Sequence, residues 1–185
     1  VGAGSDPQAA SVRLRAAQDQ FVLEWGRMSS SWGINRTMAQ IHALLLVTGE
    51  PHTMEDICGR LHISRGNASM NLRDLMDWNV VRRFRRPGDR KDLYVSDSDA
   101  WETVARVARE RKRREIDPTR AAILECLQLA PEPESSPAAK VLHDRLHGLL
   151  EIFRLVDLVY DQALRTDEAF KESVEMFRRA TGNAP

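Results

Sequence analysis

Few residues of this chain are spaced for covalent or metal chemistry. The histidines His42, His52, His62, His143 and His147 are scattered, and only His143 and His147 share a helical face at i, i+4. That spacing can hold a divalent ion, yet beside a run of leucines it reads first as the polar flank of a helix. Cys58 and Cys126 stand alone and read as small buried hydrophobes. No C-x-x-C, Gly-rich phosphate loop, H-E-x-x-H or G-x-S-x-G elbow is present. The residues that do gather are cations: Arg65 and Arg73 on one predicted helix, then Arg82, Arg83, Arg85, Arg86, Arg90 and Lys91 around Pro87-Gly88-Asp89. Guanidiniums at this density bind phosphates and, through their planar fork, base edges. The pattern points to binding without turnover, with no cofactor and no metal.

The elements that must carry these cations can be read locally. Thr53 and Asp56 form a capping-box pattern that starts a short helix, with Ile57 and Leu61 facing inward. Ile63 belongs to a tight turn, and Ser64 caps a second helix running to about Trp78. Ala68, Leu72 and Leu75 mark its buried face, which leaves Arg65, Asn67, Ser69, Met70, Asn71 and Arg73 opposite. Gly66 is costly inside a helix and suits close approach of the backbone to a phosphate. Val80, Val81, Phe84, Leu93, Tyr94 and Val95 are strand formers on either side of the Pro87-Gly88-Asp89 turn. They predict a two-stranded ribbon whose arginine-rich tip is held in solvent, with Asp89 placed to steady a guanidinium. The fold expected is mainly α with a small β-wing: a winged helix-turn-helix with N- and C-terminal dimerisation helices. The plain alternative is a solvated helix face and a solvated charge run.

The stretch I-S-R-G-N-A-S-M-N-L-R-D-L followed by N-V-V-R-R-F-R-R-P-G-D-R-K-D-L-Y resembles the DNA-binding core of GbsR/MarR-type transcriptional regulators. The likeness runs from about Phe21 to Pro118, with the family's wing signature matched at Asp89-Arg90-Lys91; beyond about Pro131 it is of type only, long helices. It implies a homodimeric regulator of double-stranded DNA. The DNA-contacting set would be Ser64, Arg65, Gly66, Asn67, Ser69, Met70, Arg73, Arg83, Arg85, Arg86, Arg90 and Lys91. It also implies sensing of a small molecule, since relatives are linked to choline and glycine-betaine metabolism. Trp25, Trp32 and Trp101 read first as core, and as the alternative they line an aromatic pocket for a quaternary ammonium group.

The remaining chain supplies a frame. The 185 residues, with 42% hydrophobic and 29% charged residues, suit a soluble globular protein; without a membrane span or a signal-peptide pattern, the cytoplasm is expected. The net charge of zero hides an uneven distribution: Arg60 to Glu115 holds 15 basic and 9 acidic residues, the rest 12 and 18. A basic module on an acidic frame fits attraction to DNA. Residues 1–10 read as a disordered end and 11–34 as an N-terminal helix with a Phe21, Trp25, Met28 and Trp32 stripe. Residues 35–97 read as the winged helix-turn-helix and 98–185 as a helical dimerisation and effector region. In the N-terminal part of the module Asn35 caps a helix that buries Met38, Ile41, Leu44 and Leu45.

After the wing, Ser98 or Asp99 is expected to start a helix with Trp101, Val104 and Ala108 inward. Its basic second half reads first as a solvated helix end and otherwise as a phosphate contact. Asp117 and Pro118 fit the start of a further helix burying Ile123, Leu124 and Leu127. From 138 to 164, Leu142, Leu146, Leu149, Phe153, Val156 and Tyr160 step by four and three as a heptad seam. Leu150, Ile152, Leu155 and Val159 widen its apolar arc, so a second copy of the helix is the simplest cover. Asp167 to Ala180 forms a last helix against the same interface. A symmetric dimer would present two reading helices about 34 Å apart to an inverted repeat and repress by blocking polymerase, with a small molecule biasing the spacing of the two modules. The competing reading is a winged-helix protein-interaction module without specific DNA binding.

Overall fold

The computed structural model describes residues 7–96, 100–164 and 166–181. The chain divides into two compact units, Val1–Ala100 and Trp101–Pro185. The first holds helices α1 (Pro7–Ser31), α2 (Arg36–Thr48), α3 (Met54–Leu61) and α4 (Arg65–Asp77), with strands β1 (His52–Thr53), β2 (Val81–Phe84) and β3 (Leu93–Ser96). This is a winged helix-turn-helix.

Its core forms around α2. Asn35 caps that helix by accepting the Met38 N–H at 3.1 Å, and Gly49, at φ 66°, turns the chain out of it. Ile41, Leu44 and Leu45 are fully buried with Ile57, Leu72 and Val80. Helix α1 begins at Pro7, ahead of the expected Ser11, and packs on α2 by a different face from the aromatic stripe. Val22, Gly26 and Ser29 are buried, whereas Phe21 and Trp25 stack on each other at 5.4 Å half-buried, and Met28 and Trp32 are exposed. The reason is steric: a Cβ on Gly26 would come within 2.5 Å of the Gln40 Cγ, so the small-residue face allows an approach that the aromatic face would block.

The sheet has three antiparallel strands in the order β1-β3-β2, one more than the sequence suggested. The added strand pairs His52 with Tyr94 and Thr53 with Leu93; two residues are too few to show a period of two. Val81 to Phe84 pairs with Ser96 to Leu93 to make the wing.

In the second unit, α5 (Ala100–Arg111) and α6 (Asp117–Leu129) are joined by a π-helical segment, Lys112–Ile116, which replaces the expected break at Asp117. Pro118 cannot donate back along the helix and crowds the preceding turn, and a π-bulge relieves both problems without ending the helix. The proposed start at Ser98 or Asp99 and the Trp101 side chain lie outside the described residues. Thr103, Ala105 and Glu110 are the buried positions of α5; Val104 is exposed and Ala108 half-buried. On α6, Leu124 is exposed and Ile123 and Leu127 only half-buried, and Cys126 is exposed, so the expected burial there is not found. Cys58 is half-buried.

Helix α7 (Pro137–Ala163) starts on Ser136, which accepts the Ala139 N–H, and α8 spans Asp167–Thr181. Ion pairs tie these helices together. Asp157 receives Lys112 at 2.9 Å and Arg120 at 2.7 Å, Arg109 donates to the Leu164 carbonyl at the end of α7, and Lys171 meets Glu102. The basic end of α5 is likewise engaged within its own unit: Glu110 takes Arg113 and Arg114, and Glu115 takes Arg111. His143 bonds the Pro131 carbonyl at 3.0 Å, and no group of three metal-ligating side chains occurs among the described residues.

Candidate nucleic-acid interface

The site is assembled from α3, α4 and the wing. The capping box forms as the sequence implied: Thr53 Oγ1 accepts the Asp56 N–H and Asp56 accepts the Thr53 N–H at 2.9 Å. Those bonds hold the Asp56 carboxyl below its usual pKa. His62, at φ 53°, ends α3, and Ser64 then accepts the Asn67 N–H to start α4. Two helices with a fixed turn result, and Ala68, Leu72 and Leu75 anchor the second in the core.

The outward face of α4 carries Arg65, Gly66, Met70 and Arg73 exposed, with Asn67 and Ser69 half-buried. A Cβ on Gly66 would meet nothing within 4 Å, so nothing inside the chain requires glycine there. Asn71, expected on the same face, is buried. Its Nδ2 donates to the Asn67 carbonyl at 2.8 Å and to the Asn67 Oδ1 at 2.7 Å. Burial of an amide is tolerated because both bonds stay within the helix, and they steady Asn67.

At the wing, Gly88 takes φ 86° and Asp89 donates its N–H to the Arg86 carbonyl, closing the tip. Arg82, Arg83, Arg85, Arg86, Arg90 and Lys91 are all exposed. The carboxylate that organises guanidiniums is Asp92, in place of Asp89: it accepts from Arg85 at 2.8 Å and lies 3.8 Å from Arg83. Asp92 sits at the strand entrance, where a carboxylate reaches back across the ribbon.

The root of the wing is fixed by a buried polar link that spacing could not reveal. Ser96 Oγ donates to the Val80 carbonyl at 3.1 Å and lies 3.3 Å from His42 Nε2. Ser96 thus bridges the His42 ring and the Val80 carbonyl at the start of the wing. Burial lowers its pKa from 6.5 to about 4. Helix α2 thereby holds both strands of the wing.

Residues 32–92 match the MarR family. They form a MarR-family domain. Over 90 residues, 49% of this chain, it is 22% identical to the putative HTH-type transcriptional regulator YvaV of Bacillus subtilis (strain 168), covering 51% of that protein. Over the same share it is 20% identical to the HTH-type transcriptional repressor OpcR of that organism, covering 49% of it. The chain thus spans about half the length of the curated relatives it matches. A crystal structure described as that of a transcriptional regulator aligns with 79% of this chain and 99% of its own at 26% identity and TM-score 0.53.

Within the MarR-family domain, α4 and the wing bring Ser64, Arg65, Gly66, Asn67, Ser69, Met70, Arg73, Arg83, Arg85, Arg86, Arg90 and Lys91 onto two neighbouring elements of one unit. Glu55, which the sequence reading passed over, joins those elements: its carboxylate lies 3.0 Å from Arg65 Nη1 and 4.0 Å from Lys91 Nζ. The helix α7 residues Leu142, Leu146, Leu149, Phe153, Val156 and Tyr160 belong to the second unit. Leu142 and Leu149 are exposed, while Leu146, Phe153, Val156 and Tyr160 are half-buried. Of the three tryptophans, Trp25 stacks on Phe21 and Trp32 is 59% exposed.

Proposed function

We propose that the protein is a non-enzymatic, sequence-specific regulator of transcription that binds duplex DNA as a homodimer on an inverted repeat. The observation that carries this reading is the convergence of a capped helix bearing Arg65, Asn67, Met70 and Arg73 with an exposed arginine wing, on a MarR-family domain. Helix α4 enters the major groove, where Arg65 and Asn67 near its N-terminus reach base edges. The wing tip follows the backbone into the minor groove, where arginine is favoured electrostatically. Ser64, Gly66 and Ser69 lie against phosphate, and Arg83, Arg85, Arg86, Arg90 and Lys91 supply the salt-dependent part.

Dimerisation is assigned to α7. Ile152, Leu155 and Val159 lie on the side of that helix away from buried Leu150 and are 53% to 62% exposed, an apolar patch that a second copy would cover. Polarity as a repressor follows the relative OpcR, whose name states it. A small-molecule effector completes the reading, and quenching of tryptophan fluorescence by a quaternary ammonium compound would register it. No helix among the described residues is long and apolar enough to cross a membrane, which fits a protein working on DNA in the cytoplasm.

The test is affinity for duplex DNA followed against salt. Neutralisation of several phosphates predicts a steep linear fall of log K with log salt, roughly −0.9 per phosphate contacted. Weak binding with a shallow slope, alongside capture of an acidic protein by the same face, would favour the protein-interaction module.

A further inference from the structure

Glu55 stands in the first turn of α3 beside Asp56, which already completes the capping box. An acid at that position favours the helix N-terminus, and any carboxylate would serve. What that role leaves unexplained is where the two oxygens of Glu55 go. Oε1 lies 3.0 Å from Nη1 of Arg65, at the start of α4, and Oε2 lies 4.0 Å from Nζ of Lys91, in the wing. The pairing of Thr53 with Leu93 in the sheet brings the start of α3 next to the wing, so one carboxylate spans both cationic elements. The side chains are 45% (Glu55), 72% (Arg65) and 64% (Lys91) exposed. Ion pairs so open to water add little to folding stability. Their consequence lies in what the cations can do next.

We propose that Glu55 is an internal competitor for DNA phosphate, occupying Arg65 and Lys91 in the free protein and so setting how tightly the reading head grips duplex. The inference rests on the DNA-binding reading above. On a duplex without the preferred site, where Arg65 has no base edge to read, a phosphate presents the same feature as Glu55, two anionic oxygens shared between a guanidinium and an ammonium. Binding therefore exchanges one anion for another at these two cations, whereas Arg86 and Arg90, with no counter-ion among the described residues, contribute their full attraction. Sequence-blind contact is restrained at the point where helix and wing meet, a repulsive element of the kind that limits unwanted partners.

The test is a double-mutant cycle on a duplex of random sequence at low salt, in the parent, Arg65→Ala and Lys91→Ala backgrounds. In the parent, Glu55→Gln is expected to tighten binding about two- to five-fold, the range open to exposed ion pairs, with thermal melting lowered by no more than a few degrees for the lost acid at the helix N-terminus, because Thr53 and Asp56 still start the helix. In each alanine background the gain should shrink, more in Arg65→Ala, whose guanidinium is the nearer partner, since one of the two released cations is gone. An equal gain in all three backgrounds would mean simple charge repulsion and would overturn the proposal. A loss of affinity would overturn it too, by showing that Glu55 steadies Arg65 in the complex. A parent that binds duplex with a steep salt slope while Glu55→Gln matches it removes only the role of Glu55. A parent that binds no duplex removes the DNA-reading function and this inference together.

Discussion

At the wing tip, Arg86 and Arg90 are exposed guanidiniums with no counter-ion among the described residues, whereas Arg85 is held by Asp92 and Arg65 by Glu55. That difference separates the expected phenotypes. Arg90→Ala should weaken binding similarly on all sequences and lower the salt slope by about one, whereas Arg65→Ala should cost about 1–3 kcal/mol on the preferred site and relax the sequence choice there. Anisotropy titrations on matched and altered duplexes distinguish the two. His42 governs a different property. Its folded pKa of about 4 lies below the value of 6.5 expected when unfolded, so the unfolded chain takes up the proton first as pH falls. The stability contributed by the neutral ring is complete above pH 6.5 and is lost progressively toward pH 4, by about 3 kcal/mol in total. Urea midpoints measured across that window should fall in the parent and stay nearly flat in His42→Gln. Caps at this scale were legible, because Asn35, Thr53, Asp56 and Ser64 act on backbone within three residues of themselves. Asn71, Asp92, Glu55 and His42 were not, because side-chain direction and cross-element partners leave no trace in spacing.

Among the elements, the helices and the wing followed from periodicity and turn chemistry, and the errors lie in which face packs. Helix α1 turns Gly26 and Ser29 inward and leaves the Phe21, Trp25, Met28 and Trp32 stripe half-buried or exposed. A hydrophobic stripe announces a surface to be covered, but close packing is chosen by the side that lets two backbones approach. Gly26→Leu should therefore force α1 away from Gln40 and cost about 1–3 kcal/mol through overpacking, read as a lower urea midpoint with intact helical circular dichroism. The π-segment before Pro118 teaches the same lesson: proline marks a disturbed hydrogen bond, and whether the helix ends or bulges depends on the packing around it.

For the whole molecule, the question is what covers α7. The heptad seam is divided in the structure: Leu146, Phe153, Val156 and Tyr160 are half-buried, whereas Ile152, Leu155 and Val159, noted at first only as a widening of the arc, form the exposed stripe. Ile152→Glu with Leu155→Glu should leave the second unit folded, since neither side chain is buried. Sedimentation should then show a monomer with reduced affinity for a two-half-site duplex. A tight dimer in that variant would move the interface elsewhere. The uneven charge of the sequence belongs to this scale as well. The basic end of α5, Arg111 to Arg114, is engaged with Glu110, Glu115, Asp117 and Asp157, whereas Arg86 and Arg90 of the wing have no counter-ion among the described residues.

The central claim is that α4 and the wing read DNA sequence, and selection from a pool of random duplexes tests it most directly. The account predicts enrichment of an inverted repeat with half-sites about one helical turn apart, lost from Arg65→Ala and retained more weakly by Arg90→Ala. A pool that stays random, or a single motif without symmetry that survives Arg65→Ala, would contradict it.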